Sequence, residues 1–362
     1  MDRIDRIVYA FYSVCPVNFL KPTLNMRVAK NFSVLLLIFV LFQTAQAGWT
    51  KQNSNTLAWL QDIYFLNEKN GWTTGSGGTF LTTVDGGKSW TKAKNFTSDT
   101  IRQVYFIDEQ TGWLLCERNL FDLGANSPSY LLKTTNGGVN WERIEFTTNQ
   151  RKRITKILFS ENGMVWAIGE GGAFFKMSED KKSWTRLPSP VRYLMFDGIF
   201  TSDSHGAIVG AGGSILFTED AGASWNKASI FGKTDAKLNS VFFINQKNGW
   251  TVGTKGKIYQ TFSGGKTWRE QKSNVTKDLT DVFFNNTAEG WTVGDEGTIL
   301  HTTTAGNIWT TVNSKNKHKL ERVLFVGKKG WAIGFGGTIL SYDESDAESN
   351  LSSTAPKLKI RN

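Results

Sequence analysis

Tryptophan returns at a fixed distance behind a short marker in this chain, and that spacing constrains the fold more than any other feature. Gly71-Trp72 is followed eighteen residues later by Trp90, Gly249-Trp250 by Trp268, and Gly290-Trp291 by Trp309. Val165-Trp166 leads to Trp184 and Gly206-Ala207 to Trp225 over the same interval, while Gly112-Trp113 reaches Trp141 across ten additional residues. Self-similarity with a period near forty residues marks a repeat architecture.

Within one unit, Leu238–Ile244, Trp250–Gly253 and Lys257–Thr261 are short apolar runs rich in Val, Ile, Phe and Trp, separated by Gly, Asn and Lys. No window after the leader sustains i, i+3, i+4 spacing, so the units read as strands and tight turns, not helices. Four strands of five or six residues fit one unit. A lone four-stranded sheet cannot bury both faces, so the units must stack on one another.

The third turn of each unit has a recurrent form, seen in Asp85-Gly86-Gly87 before Trp90, Asn136-Gly137-Gly138 before Trp141, and Asp220-Ala221-Gly222 before Trp225. Asp or Asn bonds its own turn backbone, Gly accepts positive φ, and Trp covers the hairpin. The form resembles the Asp-box of BNR-repeat propellers. It decays at Glu179-Asp180, Ser263-Gly264-Gly265 and Thr304-Ala305-Gly306, which suits a structural turn, and Asp85, Asn136 and Asp220 are read as turn formers. A seventh unit begins at Lys319 and runs through Gly330-Trp331 and Gly336-Gly337 to Ser341 without a closing Trp. The missing piece lies at the other end, where Gly48-Trp49-Thr50-Lys51 matches Ser89-Trp90-Thr91-Lys92. The reading is therefore all-β: a seven-bladed β-propeller over residues 48–342, closed by an N-terminal outer strand that removes the open edges.

Residues 1–47 read as an upstream extension and a secretory signal. Met26-Arg27 opens a basic start, Val34–Phe42 is an apolar run, and Ala45-Gln46-Ala47 is a small-residue exit. The expected location is exported: periplasmic or extracellular, or the thylakoid lumen in a photosynthetic source. Residues 343–362 read as a flexible, solvated tail. Of the two cysteines, only Cys116 lies beyond the leader, so no internal disulfide is expected, and Cys116 reads as a small half-buried hydrophobe. The chain carries 42 basic and 32 acidic residues. That excess favours acidic partners weakly, and without a basic helix or base-stacking motif nucleic acid is not expected.

The sequence carries no enzymatic constellation. His205, His301 and His318 fall in three different units without metal-ligand spacing, and turns such as Gly75–Gly78 join two strands instead of opening a helix, as a phosphate loop would. No cofactor is expected. The alternative is a sialidase-like glycan-processing or glycan-binding propeller, which would need converging arginines, a tyrosine nucleophile and an acid/base carboxylate. Sialidases resemble this repeat but carry an Arg-Ile-Pro mark; here Arg143-Ile144 and Arg153-Ile154 lack the proline.

The Gly-Trp pairs at 71–72, 112–113, 249–250, 290–291 and 330–331, the Gly-x-Gly-Gly turns at 75–78, 169–172, 210–213 and 334–337, and the closing Gly-Gly-x-x-Trp together resemble the photosystem II stability/assembly-factor family. The resemblance covers essentially all of 48–342. It implies an exported, non-enzymatic binding or assembly factor that holds a protein client such as a nascent membrane protein or its acidic segment, with at most peripheral membrane contact. A monomer is expected.

Propeller geometry places the links between blades and the second-to-third-strand turns on one face, opposite the Asp-box turns. Aligning units on Leu60, Ile101, Ile154, Met195, Leu238, Leu279 and Leu320 predicts a basic, partly aromatic binding patch around the channel mouth. It is centred on Arg102, Arg153 and Lys156, flanked by Arg118 and Arg322, with Phe121 and Tyr130 from the ten-residue insertion. Arginine would grip carboxylates and the aromatic rings would cover apolar surface.

Overall fold

The computed structural model describes residues 48–119, 127–146, 151–180 and 183–343; the leader over 1–47 and all of the tail except Asp343 lie outside them. The strands form seven sheets, antiparallel apart from one added edge strand, in chain order around a central axis. Their innermost strands are Leu60–Phe65 (blade I), Thr100–Phe106 (II), Ile154–Phe159 (III), Met195–Phe200 (IV), Leu238–Phe243 (V), Leu279–Phe284 (VI) and Leu320–Val326 (VII). Each touches the next, and the first touches the last, so the ring is closed.

Closure follows the sequence reading. Thr50–Gln52 pairs antiparallel with the third strand of blade VII, Ile339–Asp343, in the register Thr50↔Ser341, Lys51↔Leu340, Gln52↔Ile339. Trp49 lies buried against Trp291, Phe325 and Tyr342, with ring centroids 5.7, 5.9 and 5.6 Å away.

The Gly-Trp pair has one packing explanation. A Cβ on Gly71 would sit 2.5 Å from the ring of Phe65, so only glycine lets the blade's own phenylalanine lie flat there. The tryptophan beside it then reaches the phenylalanine of the following blade: Trp72 stacks on Phe106 at 4.1 Å, Trp250 on Phe284 at 3.5 Å, and Trp331 on Phe65 at 3.7 Å across the closing seam. Blade IV breaks the pattern with Ala207. There an additional strand, Ser229–Ile230, pairs parallel with Thr267–Gln271 of blade V, and Ile230 packs on the cluster containing Ala207 and Phe243. The sequence reading of four strands per blade missed this fifth strand, because two residues of ladder carry no period of their own.

The Asp-box residues are turn formers. Asp85 accepts hydrogen bonds from the Ser89 backbone N–H at 2.9 Å and the Ser89 and Thr83 hydroxyls at 2.5 and 2.8 Å. The Ser89 bonds hold its carboxyl down at about 2, and the same arrangement holds Asp220 at about 2. Asn136 accepts from the Asn140 N–H at 2.9 Å. Where the box decays, Ser263 and Thr304 hydroxyls take the N–H groups of Thr267 and Ile308 at 3.0 and 2.9 Å. Gly87, at φ +83°, sits where its Cβ would meet the Trp331 indole nitrogen at 2.9 Å.

Candidate functional site

In all seven innermost strands the pairing register shifts between the first and third aligned residues, a β-bulge. The second residue lines a depression at one mouth of the channel, and the third lines the cavity beyond the waist. The second-to-third-strand turns share the mouth face with the blade links: the turn N–H groups of Ser76, Glu170, Thr254, Asp295 and Phe335 donate to the carbonyls of Trp59, Arg153, Lys237, Asp278 and Lys319 at 2.9–3.0 Å.

The mouth depression has a volume of about 390 Å³ and is lined by Arg102, Arg153, Lys237, Lys319 and Arg322 against Glu117, Asp278 and Glu321. Arg102 pairs with Glu117 at 2.6 Å and donates to Gln61 at 2.9 Å; Arg153 reaches Glu117 at 3.1 Å and Glu170 at 2.9 Å. Arg102 and Arg153 side chains are 36% and 34% exposed and Glu117 only 14%, so the shared carboxylate lies behind the guanidiniums, while Glu170 at 35% shares the surface beside Arg153. Burial would lower the Arg153 pKa, but Glu117 and Glu170 outweigh it and hold the side chain charged.

Lys156 lies deeper than the mouth, and Arg322 lines both the mouth depression and the cavity beyond it. They sit at the third aligned position and close a belt around the waist that bridges every blade interface. The Asp62 carboxylate accepts from Val104 N–H at 3.0 Å, and the Gln103 amide exchanges two bonds with the Ile157 backbone at 2.8 and 2.9 Å. Lys156 pairs with Asp197 at 2.9 Å, and Asp197 accepts from Val241 N–H at 3.0 Å. The Ser240 hydroxyl donates to Asp281 at 2.6 Å, Asp281 accepts from Val323 N–H at 2.9 Å, and Arg322 lies between Asp281 at 3.4 Å and Asp62 at 3.3 Å. Burial pushes Asp62 and Asp281 above the usual carboxylate range, with Arg322 offsetting only part. Burial acts on Asp197 too, but Lys156 and Arg322 outweigh it and its pKa ends lowered. Arg322 is drawn down by burial and raised further by Asp281, Asp62 and Asp197, so it stays charged.

Arg118 and Tyr130 also leave the predicted patch. Arg118 is buried, donating to the Ser127 carbonyl and Glu145, with its guanidinium 4.5 Å from the Tyr130 ring centre. Tyr130 is fully buried and its hydroxyl donates to Asp99 at 2.7 Å. Phe121 lies outside the described residues. The structure thus brings Arg102, Arg153 and Arg322 to one depression and separates them from Lys156, Arg118 and Tyr130. For Lys156 the reason is one residue of register, since a one-place shift past the bulge turns a side chain from the mouth to the waist; for Arg118 and Tyr130 it is burial within blade II.

Other candidates resolve simply. Cys116 is wholly buried, not half-buried, and burial pushes its thiol up to about 12, which leaves it unreactive. His301 is partly buried, stacked on Trp291 at 3.8 Å and bonded to Glu289 at 3.0 Å. Among the described residues no three metal-ligating side chains gather. No helix among them is long and apolar enough to cross a membrane.

Fold and site define a seven-bladed Asp-box propeller with a charged mouth. The family model described as Photosynthesis system II assembly factor YCF48 matches residues 41–184, 146–246 and 232–319, well over half of the chain. The chain belongs to that family. It is 25% identical over 111 residues to the photosystem II assembly protein Ycf48 of Synechococcus sp. (strain JA-3-3Ab), covering 30% of this chain and 33% of that one. It is 24% identical over 112 residues to the Ycf48 assembly lipoprotein of Synechocystis sp. (strain ATCC 27184 / PCC 6803 / Kazusa), covering 30% and 33%. These matches span about a third of the relatives' length. Among solved structures, YCF48 bound to a D1 peptide superposes with a TM-score of 0.68 at 21% identity over 84% of this chain and 99% of that chain. Virginiamycin B lyase of Staphylococcus aureus gives 0.68 at 14% over 82% and 99%. At such identities the likeness is one of fold, and the fold alone serves both binders and enzymes.

Proposed function

We propose that the protein is an exported, non-catalytic assembly factor that holds an acidic segment of a protein client, such as a nascent membrane protein, at the mouth face. The observation that carries this reading is the Arg102–Glu117–Arg153 cluster, two partly exposed guanidiniums held rigid by one deeper carboxylate at the rim of an open depression. Planar forks fixed in this way suit bidentate carboxylate recognition. Family membership supports an assembly role, and the fold neighbour solved with a D1 peptide supports a peptide as occupant. The relatives named as lipoproteins fit an exported setting with peripheral membrane contact.

The test neutralises the mouth and spares the belt. Arg102→Gln with Arg153→Gln is expected to weaken a glutamate-rich peptide by at least tenfold at low salt and to flatten its salt dependence, with melting close to wild type. Isothermal titration at two ionic strengths checks it, and unchanged binding removes the cluster from the account. Lys156 is unsuited to this test, because its substitution breaks the waist pair with Asp197. A fluorogenic sialoside serves as the control for the glycan-processing alternative, with no turnover expected.

A further inference from the structure

Twelve of the fourteen tryptophans are buried, Trp141 is half-buried, and Trp59 alone reaches solvent, at 39% exposure. The repeat does not demand it: the aligned position holds Thr100, Arg153, Leu194, Lys237, Asp278 and Lys319 in the other blades. Phe335 is a second exception. It is 52% exposed in the blade VII turn, where Ser76, Glu170, Ala211, Thr254 and Asp295 occupy the corresponding place. Two bulky aromatics that no packing rule requires meet edge to face at 5.8 Å, on the mouth face. An exposed pair of this kind costs solubility and gains nothing for the blade.

The pair is also held in position. The Trp59 indole N–H donates to Glu321, itself part of the mouth lining, at 2.8 Å, and Lys319 lies 5.8 Å over its ring. Gln61, two residues along the strand from Trp59, accepts from Arg102 at 2.9 Å, so the aromatic pair and the arginine cluster share one continuous rim. A fixed aromatic surface beside fixed guanidiniums loses little entropy on binding.

We propose that Trp59 and Phe335 form the apolar half of the client site, taking an aliphatic or aromatic side chain of the segment whose carboxylates sit on Arg102 and Arg153; this rests on the mouth reading above. Charge complementarity selects the acidic part, and the aromatic pair selects an apolar neighbour. Adjacent blades stand about 10 Å apart, which an extended chain crosses in about three residues, so the client motif is acidic and apolar residues about three positions apart.

The test uses the full chain and fluorescein-labelled twelve-residue peptides carrying two adjacent glutamates and a leucine three positions away, each matched by a leucine-to-serine control. One pair has the leucine before the glutamates and the other after, covering both chain directions. The better-binding leucine peptide is expected to bind about tenfold tighter than its control, as burial of one leucine side chain would give. Trp59→Ser with Phe335→Ser should abolish that preference and leave the residual acidic binding. Arg102→Gln with Arg153→Gln should weaken both peptides and keep the preference. Both positions are exposed, and a melting curve confirms that the variants fold. A leucine preference that survives in the Trp59/Phe335 variant, or that is lost instead on Tyr193→Ser, another exposed aromatic at 55%, overturns the proposal. So does sedimentation with anionic vesicles that depends on Trp59 and Phe335 without any leucine preference, which would give the pair to a lipid surface. Binding that ignores Arg102→Gln and Arg153→Gln overturns the mouth reading, and a Trp59-dependent leucine preference persisting alongside it would leave the aromatic site standing alone.

Discussion

Arg322→Met is expected to lower stability by about 3–5 kcal/mol, with a drop in melting temperature on the order of 10 °C. Methionine keeps much of the volume, so the loss isolates the charge. Arg322 is the guanidinium lying between Asp62 and Asp281, and removing it leaves two carboxylates in the waist, with Lys156 next along the belt but paired to Asp197. The deficit should depend on pH. Asp62 and Asp281 already have raised pKa values, so the folded state binds more protons than the unfolded one as pH falls through those values. Without Arg322 the values rise further, and protonation relieves the uncompensated charge, so the variant's deficit should be smaller at pH 5 than at pH 7. Asp197 contributes with the opposite sign: its lowered pKa gives stability that is complete above the unfolded value of 3.8 and fades as pH falls through the folded value. Urea unfolding of both proteins at the two pH values checks the prediction. A pH-independent cost would mean that lost packing, and not charge, accounts for the effect.

Trp49→Ala should cost a comparable amount, about 3–5 kcal/mol. The indole fills the space between Trp291, Phe325 and Tyr342, and the strand that follows it completes blade VII. Because closure joins the two ends of the ring, the damage should reach beyond the cavity. Amide exchange along Ile339–Asp343 is expected to quicken in the variant, since Thr50–Gln52 covers that edge. A cost below about 1 kcal/mol with unchanged exchange would show that the ring holds without its N-terminal strand.

The architecture was legible because the repeat writes the same packing problem seven times. Gly71-Trp72 and its copies encode the flat phenylalanine and the stack on the next blade, and Gly48-Trp49-Thr50-Lys51 encodes the outer strand by its likeness to Ser89-Trp90-Thr91-Lys92. The site was legible only in part. Alignment brought Arg102 and Arg153 to the right face, but the bulge after the first aligned residue is a backbone feature that no side-chain pattern announces. Hence the alignment puts Lys156 at the mouth although it belongs to the belt, and it does not show that Arg322, which does reach the mouth, is also a belt residue. The signal that could have separated them lies in the same alignment. The third position reads Asp62, Gln103, Lys156, Asp197, Ser240, Asp281, Arg322, polar in all seven blades where the second position admits Phe196, and polar groups buried in a ring must satisfy one another. Glu117 carries no repeat signal, because the blade II insertion follows directly after it. Trp59 and Phe335 leave no mark in the repeat, because no other blade carries an aromatic residue at either aligned position.

The central claim is that the mouth of blades II and III, and not the Asp-box face, receives the client. Amide hydrogen exchange of the full chain, measured with and without a saturating glutamate-rich peptide, tests it most directly. The account predicts slowed exchange within 100–103 and 151–156, with the Asp-box turns at 83–90 and 218–225 unchanged. Slowed exchange at those turns, with the mouth segments unaffected, would contradict it.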